Sequence, residues 1–182
     1  MKQMKGTAMP ETIVHPFDPV YDADSEILIL GSLPSVKSRQ TQFYYGHPQN
    51  RFWKVLAAIF QEPVPATVEE KRRFLLRHHI ALWDVISQCV IEGSSDASIR
   101  DVVPADLDVV MHHSKISRIL CNGQTSLKYY RKYQEKQTGI KALGLPSTSP
   151  ANAAWSLERL TDSWQQAVLP MDGGADTKKE VQ

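Results

Sequence analysis

The chain has 182 residues, with 21 Lys and Arg against 20 Asp and Glu, a formal net charge of +1. Its 42% hydrophobic and 23% charged residues are ordinary for one globular domain with a proper core. No apolar run approaches the roughly 18 residues of a membrane span, the N-terminus lacks the continuous apolar core of a signal peptide, and a near-neutral total neither demands nor excludes a nucleic-acid partner.

Residues 1–15 read as a flexible N-terminal arm. A stretch from Asp18 to Glu26 then supplies four acids and no base. "SEILILGS" is a buried strand ending at Gly31. The loop after it, "GSLPSVKSRQTQFYYGHPQN", has the opposite charge. From Gly31 to Phe60 there are four basic side chains, including Lys37, Arg39 and Arg51, and no acidic one. A neutral total therefore hides a locally basic rim.

Within that loop, Gly31 and Pro34 bracket a tight bend, Gly31-Ser32-Leu33-Pro34-Ser35. Bends of this kind aim backbone N–H groups at a bound group. Phe43, Tyr44 and Tyr45 follow, ahead of Gly46, His47 and Pro48. An aromatic beside a glycine bend can stack on a flat ligand, and at least one of the three must pack against the sheet edge instead. Asn50 opens a helix, "NRFWKVLAAIF", which sets Trp53, Leu56, Ala57 and Phe60 on one face. Asn is a favoured N-cap residue, so spacing alone leaves Asn50 open between cap and chemistry.

"TVEEKRRFLLRHHI" is a second helix, with Thr67 and Glu70 forming a capping box. "ALWDVI" is a short strand, "EGSSDASIRDVVP" a loop region, and "SRILCNG" another buried strand. "SLKYYRKY" is helical and basic. "KALGLPSTSP" is a last short strand, and "AWSLERLTDSWQQAV" closes the domain as an amphipathic helix. Residues 171–182 are polar, contain glycine and read as a disordered tail. Strands alternating with helices predict an α/β domain over residues 16–170. Its architecture is a three-layer sandwich, a four-stranded mainly parallel sheet flanked by helices. The loops "GSLPS", "GSSD", "CNG" and "LPSTSPAN" should then gather at the carboxyl edge and form one site.

Common chemistries are missing from these loops. There is no GxGxxG after the first strand, no GxxxxGK[ST], no HExxH and no GxSxG. Adjacent histidines, His78-His79 and His112-His113, point to different helix faces, so no metal is expected. Cys89 and Cys121 form no CxxC pair and read as small buried apolar residues. "LPSTSPAN" offers Ser147, Thr148, Ser149 and Asn152 in a rigid, hydroxyl-rich turn of the kind that holds phosphates.

The wording and order of "LILGSLPSVKSRQTQFYYGHPQNRFWKVL", "ALWDVI", "GSSDASIRDVVP" and "LPSTSPANAAW" resemble the uracil-DNA glycosylase superfamily, and within it the hypoxanthine-DNA (deoxyinosine) glycosylases. The likeness runs from about Glu26 to Trp164. It implies a monofunctional DNA-repair enzyme that flips out a deaminated base, chiefly hypoxanthine, and hydrolyses its N-glycosidic bond to leave an abasic site. The alternatives are a glycosylase preferring uracil or xanthine, or a non-catalytic nucleic-acid-binding module.

The resemblance further implies catalysis by Asn50, stacking by Tyr45, and a strand-pressing role for "LPSTSPAN". Leu33 stands where mismatch-specific uracil relatives keep an Asn, which argues against their chemistry there. Asp96 is a candidate to support the attacking water, with loop capping as the competing reading. His47 and the bend from Gly31 to Ser35 would hold the base. Lys37, Arg39, Arg51, Ser147, Thr148, Ser149 and Asn152 would meet the DNA. No cofactor is implied, because the iron–sulfur branches need four cysteines and this chain has two. A monomer acting on DNA in the cytoplasm, at the nucleoid, and not at a membrane, is the expectation.

Overall fold

The structure, a computed structural model, describes residues 8–169. The expected tail, 171–182, and the first part of the expected arm lie outside the described residues. In chain order the elements are β1 (Pro10–Val14), β2 (Ile27–Gly31), α1 (Val36–Thr41), α2 (Phe52–Phe60), α3 (Val68–Arg77), β3 (Ile80–Asp84) and β4 (Ile86–Glu92). After a 3₁₀ turn (Asp96–Ser98) come β5 (Arg100–Pro104), α4 (Asp108–Met111), β6 (Arg118–Asn122), α5 (Gln124–Tyr133), α6 (Glu135–Thr138), β7 (Leu143–Leu145) and α7 (Leu157–Val168).

The central sheet has four parallel strands in the order β3-β2-β6-β7. These are the four strands legible in the sequence. Each is short, and β2, β3 and β6 carry an apolar run because both of their faces are covered, whereas the edge strand β7 is partly exposed. Ile27, Ile29, Ile80, Leu82 and Leu120 pack on one side with α2, α3 and α7, around Phe52, Leu56, Phe74 and Trp164. Leu28, Leu30, Ala81, Ile119 and Cys121 face the other side and meet Val110, Leu127, Tyr130, Ile86 and Cys89. Side chains that alternate along each strand thus feed two cores, which makes the three layers.

A second, antiparallel sheet lies over the latter core, in the order β1-β4-β5. It corrects two expectations. The arm reading fails at Pro10–Val14, which pair in register with Gln88–Glu92. Most of β1 is exposed, and only Ile13 is buried. Its order comes from ladder hydrogen bonds and not from a hydrophobic pattern. The loop reading of "EGSSDASIRDVVP" likewise fails at β5, an edge strand whose pairing with β4 is interrupted by register shifts.

The helix starts follow their caps. Thr67 accepts from the Glu70 N–H while the Glu70 carboxylate accepts from the Thr67 N–H, completing the expected capping box. Ser35 caps the short α1 by accepting from the Ser38 N–H. No described helix is long and apolar enough to cross a membrane.

Candidate active site

The carboxyl ends of the parallel strands carry Gly31 on β2, Asp84 on β3 and Asn122 on β6, with Pro146 to Ser149 following β7. They open into a cleft of about 350 Å³. Gly31 to Ser35, Arg39, Tyr45, Asn50, Asp96 and Ser147 to Ser149 all line it, together with Asp84 and Asn122. Four separate loops are therefore brought to one place, as the strand order demands.

Asn50 lies two residues ahead of α2, whose N-cap position is Arg51, and it lines the cleft. Its Oδ1 accepts from the Phe52 N–H at 2.9 Å and from the Thr148 hydroxyl at 2.9 Å. A backbone N–H can only donate, so the atom facing it must be the oxygen. The carboxamide NH2 is then the end left for the cleft. Thr148, fully buried, is fixed by a reciprocal pair. Its N–H donates to Asn122 Oδ1 at 3.0 Å, and Asn122 Nδ2 donates to its Oγ at 3.0 Å. Every hydrogen bond along Asn122–Thr148–Asn50 thus has an assigned direction, and such a network holds one geometry.

Tyr45 has one ring face on Phe52, centroids 4.0 Å apart and nearly parallel, and it also lines the cleft. Its φ of 53° is the left-handed region, unusual for an aromatic residue. Strain of this kind concentrates at functional sites. The hydroxyl is buried and makes no hydrogen bond of ordinary geometry. Burial, then the Asp84 charge, push the phenol pKa up, while the Asn122 side chain acts the other way.

The bend is tied down from behind. The carbonyls of Gly31 and Ser32 accept from the N–H groups of Val85 and Ile86. The Ser32 and Leu33 N–H groups make no hydrogen bond among the described residues. Gly31 is required by crowding and not by its backbone angles. A Cβ there would sit 2.3 Å from Asp84 Oδ1 and 3.0 Å from the Tyr45 hydroxyl. Leu33 packs partly against the second core.

The other predicted residues divide. Lys37 is exposed on α1. Arg39 reaches the cleft and pairs with Glu11 at 3.4 Å, its Nε buried without a partner. Asp96 accepts from Thr125 at 2.9 Å on the cleft wall. Arg51 is engaged elsewhere than expected. Its guanidinium donates to the carbonyls of Thr148, Ser149, Asn152 and Trp155, so it ties down the "LPSTSPAN" loop and is not a free phosphate contact. Asn152 closes that loop by donating to the Ser147 carbonyl. His47 does not line the cleft; its Nδ1 accepts from the Gln49 N–H.

Nothing in the sequence marked Asp84 or His15, and Asn122 stood out only as part of "CNG". Asp84 lies at the cleft floor, 3% exposed, with Oδ2 2.7 Å from His15 Nε2. A lone acid closing an apolar strand, "IALWD", was the available signal for it.

Comparison with known proteins gives a consistent answer. A family model described as the uracil DNA glycosylase superfamily matches residues 19–169. A protein of Methanosarcina acetivorans named hypoxanthine DNA glycosylase is 36% identical over 151 residues, 82% of this chain and 94% of its own. One of the same name from Methanosarcina barkeri is 34% identical over 158 residues, 83% of this chain and 95% of its own. A solution NMR structure of a Methanosarcina acetivorans protein superposes with a TM-score of 0.72 at 34% identity, covering 84% of this chain and 94% of that one.

Proposed function

Because the chain belongs to the uracil DNA glycosylase superfamily, we propose that it excises hypoxanthine from DNA and leaves an abasic site. Two curated relatives, 36% and 34% identical to it, carry that activity in their names. The observation that carries the reading is Asn50, whose amide is oriented by Phe52 and Thr148 so that its donor end is left for the cleft.

The cleft suits an extruded base. A base in duplex DNA is out of reach of a recessed pocket, so it must be flipped, at a cost of a few kcal/mol. Tyr45 offers its uncovered ring face for stacking. Breaking the N-glycosidic bond makes the sugar cationic and the leaving base anionic. The Ser32 and Leu33 N–H groups, on a bend that lines the cleft and without partners among the described residues, are the donors we assign to that anion. Asn50 has no useful basicity. With its carbonyl occupied, it acts as a donor to the reacting nucleotide or to the water that attacks the sugar. Asp96, which also lines the cleft, is our candidate to accept from that water. Lys37 and Arg39 provide positive charge at the rim for phosphates. Residues 16–170 form the catalytic unit, with β1 added to its edge.

The experiment is direct. Incubation with a duplex carrying one deoxyinosine, followed by alkali, yields a strand break at that position. Failure to cut inosine, with cutting of uracil or xanthine, transfers the activity to those bases. Failure with all three refutes the enzyme.

A further inference from the structure

The basic stretch "SLKYYRKY" lies in α5, and base excision as described has no use for it. From Gln124 to Lys141 the chain carries five cations, Lys128, Arg131, Lys132, Lys136 and Lys141, against one acid, Glu135. None of the five forms an ion pair among the described residues. Elsewhere on the surface Arg73, Arg100 and Lys115 hold Glu69, Glu92 and Asp24 at 2.9, 2.9 and 2.7 Å. The charge on α5 is left to solvent.

That charge is ordered along one line. Ser126, Leu127, Tyr129 and Tyr130 form the buried face of the helix. Gln124, Lys128, Arg131 and Lys132 fall three or four residues apart on the opposite face, and all four are exposed. The line starts at the active site, because Gln124 and Thr125 line the cleft. Two of the charges rest on a platform. Lys128 Nζ lies 5.3 Å from the Tyr129 ring centroid and Lys132 Nζ lies 5.0 Å from that of Tyr133. The two rings are nearly parallel, 6.3 Å apart. A cation held over an aromatic face has less rotamer freedom left to lose on binding.

We propose that Lys128, Arg131 and Lys132 on α5 form a second DNA contact, which binds the phosphates of one arm of the duplex where it leaves the cleft. This deepens the glycosylase reading and rests on it. At about 1.5 Å per residue the line from Gln124 to Lys132 is about 12 Å long. Each DNA strand rises about 3.4 Å per phosphate, so the line matches about three of them, one for each cation. Continuity with the cleft selects DNA over an acidic protein as the occupant, since a strand leaving the site meets this face first. Asp96 is the acid at the cleft end of the line, and it is engaged by the Thr125 hydroxyl. The contact reads no sequence. It adds affinity from an arm of undamaged DNA, which offsets the cost of extruding the base.

The test uses the full chain and duplexes carrying one deoxyinosine. Both arms are long, or the arm on the 5′ or the 3′ side of the lesion is cut back. The readout is the enzyme concentration that gives half-maximal single-turnover excision. Wild type cutting the long duplex establishes the parent reading, and its failure to cut overturns both. Given that activity, cutting back one of the two arms should weaken wild type several-fold. The triple variant Lys128→Gln, Arg131→Gln, Lys132→Gln should be weaker by a similar factor on the long duplex and lose nothing further when that arm is cut back. Its slope of log affinity against log salt should be shallower by about 2–3. An equal loss on long and cut-back duplexes reports net charge alone and overturns the contact. A triple variant with the arm dependence and salt slope of wild type also overturns it, leaves the glycosylase reading standing, and leaves this face of α5 to an acidic protein.

Discussion

Asn50 and Thr148 are 98 residues apart in the chain and share a hydrogen bond of 2.9 Å. That bond joins the segment between α1 and α2 to the loop after β7, and both residues line the cleft. It gives Asn50 its orientation, and several consequences can be measured.

Asn50→Asp separates scaffold from chemistry. The carboxylate keeps an oxygen for Phe52 and Thr148 but removes the NH2. The variant should melt within a few degrees of wild type, while single-turnover excision falls on the order of 10²–10³-fold. Asn50→Ala should lose activity at least as severely and also lose about 1–3 kcal/mol of stability, because the Phe52 N–H and the Thr148 hydroxyl lose their acceptor. Full activity in Asn50→Asp would remove the donor role.

Thr148→Val keeps the shape and deletes the hydroxyl that links Asn122 to Asn50. Leaving these partners unpaired costs about 1–3 kcal/mol. Thermal unfolding should fall by several degrees for a domain of this size. Excision should fall with it, because Asn50 loses its anchor.

Lys37 and Arg51 should part company under salt. Lys37→Ala removes a free surface cation, so the slope of log affinity against log salt should shrink by about one phosphate contact. Arg51→Lys should leave that slope unchanged. It should instead destabilise the protein by roughly 2 kcal/mol, because an ammonium cannot serve four carbonyls held in a fork. Equal salt slopes in wild type and Lys37→Ala would remove Lys37 from the DNA contact.

Gly31→Ala adds a single methyl 2.3 Å from Asp84 Oδ1. Overpacking of this kind costs about 1–3 kcal/mol. The methyl also invades the notch at the cleft floor, so loss of excision should exceed what a matched loss of stability elsewhere produces. A control substitution of equal stability cost in α3 gives the comparison.

Burial raises the Cys121 thiol to about 11. The unfolded thiol ionises nearer 8.5. Because the folded state binds this proton more tightly, its contribution is fully present below about pH 8.5 and is lost as pH rises towards 11. Alkylation of Cys121 in the native protein should accordingly be slow at pH 8 and follow unfolding. Rapid labelling at that pH would place the thiol outside the core.

The parallel sheet was legible because three of its four strands are uninterrupted apolar runs: Ile27 to Leu30, Ile80 to Trp83, Ile119 to Cys121. β1 and β5 were not. Only Ile13 of β1 is buried, and β5 is mostly exposed, so neither leaves the period-2 signature that a half-buried strand would leave. The site divided in the same way. Asn50, Tyr45 and the bend stood out through local wording. The role of Arg51 depends on carbonyls about a hundred residues further on, and the partner of Asp84 lies 69 residues earlier. No local pattern records either. Asn50 looked like a choice between cap and chemistry, and the structure gives its two ends one task each.

The tether from Arg51 to the loop after β7 also sets when, in folding, the cleft comes into being. Its hydrogen bonds close sequence separations of 97 to 104 residues. Contacts so distant along the chain form after the local ones, since their closure entropy is met only when the intervening sheet is in place. A chain emerging from the ribosome, or one partly opened from its C-terminal end, has β2 and its glycine bend but no oriented Asn50. The donor that Asn50 offers the cleft is therefore oriented only once the loop after β7 has docked.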